Sequence, residues 1–137
     1  MENLTQTQDL RERLEEALDS LRDRARGLIA AIAAHAEARL AYEAALDDLE
    51  DARARAVREG LQGRNEQARQ AELLEKTREQ EEALRAARGV YRVAEANLEM
   101  ARVAWEVERE ALQALVALLE GEVGASRRGA RVREVEA

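Results

Sequence analysis

The sequence contains no cysteine, no proline and no phenylalanine, and each absence excludes a class of structure or chemistry. Without cysteine, neither disulfide bonds nor thiol chemistry is available. Without proline, and with 37% charged residues, long uninterrupted helices are favoured. Alanine supplies much of the 46% apolar content, so one pair of such helices cannot enclose a thick core. A small all-α protein is therefore expected.

Segments that would direct the chain to a membrane are also missing. The longest apolar run, residues 28–34, is too short to span a bilayer. The first residues lack the basic start and apolar stretch of a signal peptide. We therefore expect a cytoplasmic protein with no membrane partner.

A glycine-rich stretch near the middle of the chain, residues 60–65, predicts a turn between two long helices. Gly60 can adopt the left-handed conformation that follows a helix C-terminus. Asn65 can cap the next helix through its side-chain oxygen, with Glu66 near the positive end of the helix dipole. These residues indicate an antiparallel helical hairpin.

The outer limits of the two helices follow from weaker signals. Thr5 and Gln8 match a capping box, so helix 1 is expected to begin near Thr5. Gly121 and Gly124 are expected to end helix 2. The chain is then a single helical-hairpin domain over residues 1–137, divided into helix 1 at about 5–59, the turn at 60–65, helix 2 at about 66–120 and a tail at 121–137.

Helix 2 carries a seven-residue repeat that predicts a left-handed coiled coil. The residues spaced by seven are Thr77, Leu84, Tyr91, Leu98, Trp105, Leu112 and Leu119, and three residues further on lie Gln80, Ala87, Ala94, Ala101, Glu108 and Leu115. The apolar stripe of helix 1 is expected to comprise Leu10, Leu14, Leu18, Leu21, Ala25, Leu28, Ile32, Ala36, Leu40 and Ala44.

Reversing the chain at residues 62–63 pairs residue i with about 125 − i. Tyr91 then lies opposite Ala33 and Ala34, and Trp105 lies near Ser20 and Leu21. The chain has more apolar positions than one seam can bury, and burial against other copies is the simplest outlet, so a homo-oligomer is expected. The surplus comprises Leu10, Leu14, Ile29, Leu40, Leu46, Val90, Val93, Val103, Val107, Val116 and Leu118.

Basic residues are concentrated in two places although the net charge of −7 disfavours broad binding to nucleic acids. The turn region contains Arg53, Arg55, Arg58, Arg64 and Asn65, and a secondary basic cluster contains Arg127, Arg128, Arg131 and Arg133. Arginine favours bidentate phosphate contacts, and free amides at a helix N-terminus can hold a phosphate. The alternatives are a solvated helix–helix turn and an arginine-rich composition inherited from a GC-rich genome.

No catalytic residue, metal site or cofactor is predicted. His35 is the only histidine, and no cysteine is available to complete a zinc site, so a structural role near the seam is expected. The carboxylates within residues 47–51 diverge around the helix and indicate a solvated acidic face. Tyr91 and Trp105 fall in the seam, which favours a packing role over base stacking; Tyr42 is left open. An enzyme is not expected, because no nucleophile–base pair is visible.

The run Ala52–Gly60, followed by Gly63-Arg64-Asn65 between two long helices, resembles the phage recombination mediators related to UvsY. The resemblance implies a ring-forming helical protein that binds single-stranded DNA through basic residues before the turn, here Arg53, Arg55 and Arg58. It also implies that the protein helps to load a recombinase in the host cytoplasm, with a recombinase or single-strand-binding protein as partner. The alternative is a structural or protein-binding coiled coil, such as a phage assembly component or an inhibitor of a host enzyme, that does not bind nucleic acid.

Overall fold

The computed structural model describes the backbone of residues 2–136 and the side chains of residues 4–125 and 127–129. Three helices account for most of this chain: α1 (Glu2–Glu59), α2 (Glu66–Lys76) and α3 (Arg78–Glu136). Residues 2–136 contain no strand, so the all-α prediction is confirmed. In the part of the chain that is described, no helix combines the length and the apolar character that a bilayer span requires.

The helices contribute to two compact units. The first, Ala30–Glu99, is continuous in sequence and is called the tip unit here; the second joins the residues up to Ile29 with those from Met100 onward and is called the end unit. In the tip unit, α1 and α3 run antiparallel, and the chain reverses through residues 60–65 and α2. In the end unit, the N-terminal part of α1 lies beside the C-terminal part of α3.

Both predicted caps of the turn are confirmed. Gly60 has φ +93°, and its amide donates to the Val57 carbonyl at 3.2 Å, as in a left-handed helix end. Asn65 is extended, with φ −134° and ψ 171°, and its side chain accepts a hydrogen bond from the Ala68 amide at 2.7 Å. Local sequence therefore determines where α1 ends and α2 begins.

The helix-pairing seam follows a strict seven-residue period on both helices. Every predicted seam residue of α3 is buried or half-buried. On α1 the seven-spaced line comprises Thr7, Leu14, Leu21, Leu28, His35, Tyr42, Leu49 and Ala56. The predicted stripe of α1 is wrong from Ile32 to Ala44, since Ile32 is 50% exposed and Leu40 is 67% exposed. A period of seven is the one expected for a left-handed coiled coil, whereas the stripe of a straight helix would drift from it.

The predicted register of 125 − i is also wrong. The Tyr42 ring stacks on the Tyr91 ring with 5.6 Å between their centres, and Arg53 pairs with Glu81, so partners lie near 133 − i. The His35 ring, one heptad before Tyr42, also contacts the Tyr91 ring at 5.2 Å. The cause is the tip loop, residues 60–65, which folds against α2. A Cβ at Gly63 would lie 2.6 Å from the Arg69 amide nitrogen, so the first turns of α2 face the loop.

The same register applies in the end unit. Leu14 lines a groove of about 390 Å³ together with Val116, Leu119 and Val123. The register places Leu28, rather than Ser20 and Leu21, level with Trp105, so the predicted neighbours of Trp105 are corrected as well.

Thr77 separates α2 from α3, an interruption that the sequence patterns do not predict. Its amide at 3.1 Å and its hydroxyl at 2.8 Å both donate to the Leu73 carbonyl. A threonine hydroxyl bonded four residues back competes with the backbone ladder and bends helices. The Glu81 amide donates to the Thr77 carbonyl at 2.9 Å, so the helical pattern resumes immediately.

The prediction that Gly121 and Gly124 end the second helix is wrong, because α3 continues to Glu136. A glycine in a helix interior costs about 1 kcal/mol relative to alanine, which neighbouring helix formers can offset. No proline follows to stop the helix. Residues 121–136 therefore extend the helix instead of forming a separate tail.

Candidate functional site

The arginines predicted to bind nucleic acid do not form one surface. Arg53 points toward α3, where its Nη2 lies 2.6 Å from Glu81 Oε1. Arg55 lies two positions away, about 200° around the helix. Arg55 and Arg58, three residues apart, share a face of α1, and neither they nor Arg64 in the tip loop contact an acidic partner among the described residues. Three arginines therefore remain available to contact a ligand, while Arg53 is held in an ion pair.

The backbone amides of the tip loop, expected to be free for a phosphate, are already occupied. The amides of Gln62 and Gly63 donate to Glu72 Oε2 at 2.8 Å and 3.1 Å. Asn65, predicted as part of the nucleic-acid site, accepts from the Ala68 amide and so serves as a helix cap. A phosphate at these amides would have to displace a carboxylate of this chain.

Glu72 is the residue at the tip that sequence reasoning missed. Partial desolvation, the largest single influence, raises the pKa of Glu72, but the amides of Gln62 and Gly63 together with Lys76 lower that pKa below its ordinary value. Lys76 Nζ lies 3.4 Å from Glu72 Oε1. The only sequence signal was the i, i+4 spacing of Glu72 and Lys76, which is common on helix surfaces and does not point to a loop.

The secondary basic cluster lies on α3, and the structure describes the side chains of only two of its four arginines. Arg128 Nε donates to the Gly124 carbonyl at 3.3 Å, and Arg127 borders the apolar groove beside Leu14. The side chains of Arg131 and Arg133 lie outside the described residues. Arg127 and Arg128 are both exposed.

The histidine and the tyrosines pack together in the tip unit. The Tyr42 and Tyr91 rings are nearly parallel, with an interplanar angle of 13°, and His35 lies against Tyr91. Arg88 lies 6.0 Å from the centre of the Tyr42 ring. The expected position of His35 near the seam is confirmed, and Tyr42, which sequence reasoning left open, belongs to the same seam.

Trp105 is half-buried in the end unit, in phase with the α3 repeat. The Arg109 guanidinium lies 4.9 Å from the centre of its ring, within the range of a cation–π contact. Among the described residues, no three His, Cys, Asp or Glu side chains converge as metal ligands.

The sequence matches no protein-family model, no curated protein and no solved structure.

An exposed apolar surface lies on α3, facing away from the seam. Large apolar side chains that are at least 58% exposed occur there at Val90, Val93, Met100, Val107 and Leu118. Of the surplus residues predicted on α1, Ile29 and Leu40 are exposed at 67% each, whereas Leu10, Leu14 and Leu46 are half-buried. Such extended apolar surface is typical of an interaction site.

Proposed function

We propose that the protein is a structural, protein-binding coiled coil that acts by assembling into a homo-oligomer. The observation that supports this proposal most is the exposure of large apolar side chains along α3, which the pairing of α1 with α3 leaves uncovered. Water contact with these side chains is unfavourable, so burial against another helix stabilises an assembly.

Single-stranded DNA binding by a recombination mediator is the second candidate. In its favour, Arg55, Arg58 and Arg64 have no acidic partner among the described residues. Against it, Arg53 is paired with Glu81 and the loop amides are bound to Glu72. A net charge of −7 adds repulsion of the phosphate backbone, so this candidate ranks below assembly.

The mass in solution tests the proposed assembly. Light scattering at micromolar concentration is expected to give a multiple of the 15.3 kDa chain mass. A mass of 15.3 kDa at micromolar concentration would overturn the proposal.

Fluorescence anisotropy with a labelled single-stranded oligonucleotide tests the second candidate. If the tip binds, the substitutions Arg55→Gln, Arg58→Gln and Arg64→Gln together should weaken binding. They should also flatten the salt dependence by about 0.7 in log–log slope for each phosphate that the variant no longer neutralises. The matched control replaces Arg11, Arg22 and Arg24 with glutamine, which removes the same charge far from the turn in sequence. Equal binding by both variants, or no binding at low salt, would exclude the tip as a nucleic-acid site.

A further inference from the structure

A second seven-residue repeat runs along α3, separate from the one that pairs with α1. Its members alternate steps of three and four residues and are all uncharged: Ala83, Ala86, Val90, Val93, Asn97, Met100, Ala104, Val107, Ala111, Ala114, Leu118 and Gly121. All of them are exposed except Ala104, which is half-buried. In a chain with 37% charged residues, twelve successive uncharged positions at this spacing define a second coiled-coil seam. We call it the outer seam.

The position of α1 leaves the outer seam open. Arg53 and Glu81, which form an ion pair, occupy equivalent heptad positions on one side of the helix pair. On the opposite side of the helix pair, antiparallel coiled-coil geometry places a different line of α1 next to the outer seam. This line consists of the residues directly before the α1 seam residues Leu14, Leu21, Leu28 and their seven-spaced equivalents. Beside the outer seam this line reads Arg13, Ser20, Gly27, Ala34, Ala41 and Asp48, all exposed, so the four central residues are small and the two end residues are charged. Small side chains at these positions give a further helix access to α3.

We infer that the outer seam of α3 binds the outer seam of a second copy, with the two α3 helices antiparallel about a two-fold axis near residue 102. This inference rests on the proposed function and specifies its interface. About that axis, residue i faces 204 − i, and large side chains face small ones. Met100 meets Ala104, Val93 meets Ala111, Val90 meets Ala114, Leu118 meets Ala86, and Val107 meets Asn97.

Charge is compatible with this self-pairing. Between residues 83 and 121, the charged side chains of α3 lie outside the outer seam. At the flanking position directly before Ala83, Val90 and their seven-spaced equivalents, antiparallel geometry pairs residue i with about 206 − i. Val103 therefore faces its own copy, and Glu110 faces Ala96 instead of another acid. Like charges are therefore not brought together by the pairing, although each copy is acidic overall.

The area is sufficient for a specific dimer. The seam extends for about 57 Å at 1.5 Å per residue, and a helix with side chains is about 11 Å wide. The footprint is then roughly 600 Å² on each copy, or about 1,200 Å² in total, the lower edge of the range for stable interfaces. A two-fold interface of this kind closes on itself and gives a dimer.

The test compares two variants that add the same charge to different exposed apolar surfaces. One carries Val93→Glu, Met100→Glu and Val107→Glu on the outer seam; the control carries Ile29→Glu, Ile32→Glu and Leu40→Glu on α1. Each is at least 50% exposed, so neither variant alters the helix-pairing seam, and circular dichroism checks that helix content is retained. Mass in solution is the readout, at equal concentration and salt.

We expect twice the 15.3 kDa chain mass for the native protein and the α1 variant, and 15.3 kDa for the outer-seam variant. An oligomer that survives the outer-seam changes but dissociates with the α1 changes would overturn this interface while the proposed assembly function stands. A native monomer would overturn both.

Orientation is tested by cysteine cross-linking, which is unambiguous because the chain has no cysteine of its own. In the antiparallel pairing, Ala86→Cys alone should remain uncross-linked under mild oxidation, whereas Ala86→Cys combined with Leu118→Cys should form a covalent dimer. Efficient cross-linking of the Ala86→Cys single variant would show a parallel dimer and overturn the inferred axis.

Discussion

One carboxylate, that of Glu72, holds the tip loop against α2. It accepts two loop amides and pairs with Lys76, and these contacts favour its charged form over its neutral form. Because the pKa of Glu72 is lower in the folded chain than its ordinary value of 4.5, ionisation of this group stabilises the fold. That stabilisation is present above pH 4.5 and is lost as pH falls through the lowered pKa.

Replacing Glu72 by glutamine should therefore lower the melting temperature at pH 7, because an amide oxygen cannot replace the charged acceptor of two backbone amides. The difference in melting temperature between the native protein and the variant should disappear as pH falls below the pKa of Glu72. Glu75→Gln is the control, since Glu75 is an exposed residue of α2 whose Arg78 contact is 3.8 Å. A pH-independent gap, or an equal loss in the control, would show that the carboxylate does not hold the loop.

Glycine has opposite effects on stability inside a helix and just beyond its end. Gly89 lies inside α3 with open space around the position a Cβ would take, whereas Gly60 has φ +93° just after α1. Alanine at Gly89 should stabilise the protein by about 1 kcal/mol through helix propensity. Alanine at Gly60 should destabilise it by about 1–2 kcal/mol because of the left-handed conformation. Urea unfolding measures both, and equal signs would contradict the assigned ends.

The elements also explain which parts of the fold the sequence could predict. The α3 seam was predictable because large residues such as Leu84 and Tyr91 recur at a constant interval. On α1, alanine occupies five of the seven positions from Ala30 to Ala36, so the apolar pattern alone did not show which face of the helix packs against α3. Applying the seven-residue period of α3 to α1, counted from Leu21 and Leu28, would have indicated His35 and Tyr42.

The register and the site required tertiary contacts that no local pattern encodes. The packing of the tip loop on α2, in which Glu72 accepts two loop amides, shifts the pairing of residues between α1 and α3. The arginines near the turn were recognisable as a cluster in sequence. Their separation in space follows from the helical angle between Arg53 and Arg55 and from the position of Glu81. The outer seam was detectable from the confinement of charge on α3, but its exposure was visible only in the structure.

At the scale of the whole molecule, the two units are nested in sequence. The tip unit is one continuous stretch, while the end unit joins the two ends of the chain. The amides bound by Glu72 lie only 9 and 10 residues away along the chain. Leu14 and Leu119, which share the end-unit groove, are separated by a stretch roughly ten times longer.

This nesting has a consequence for the order of folding. Closing a loop ten times longer costs about 2 kcal/mol more entropy, so end-unit contacts form readily only after the tip has reversed the chain. We expect Leu84→Ala, in the tip unit, to slow folding, and Leu119→Ala, in the end unit, mainly to speed unfolding. Stopped-flow φ-values measured at one protein concentration decide this, and a higher φ at Leu119 than at Leu84 would reverse the order. Pairing of α1 with α3 would then propagate from the turn toward the two ends of the chain.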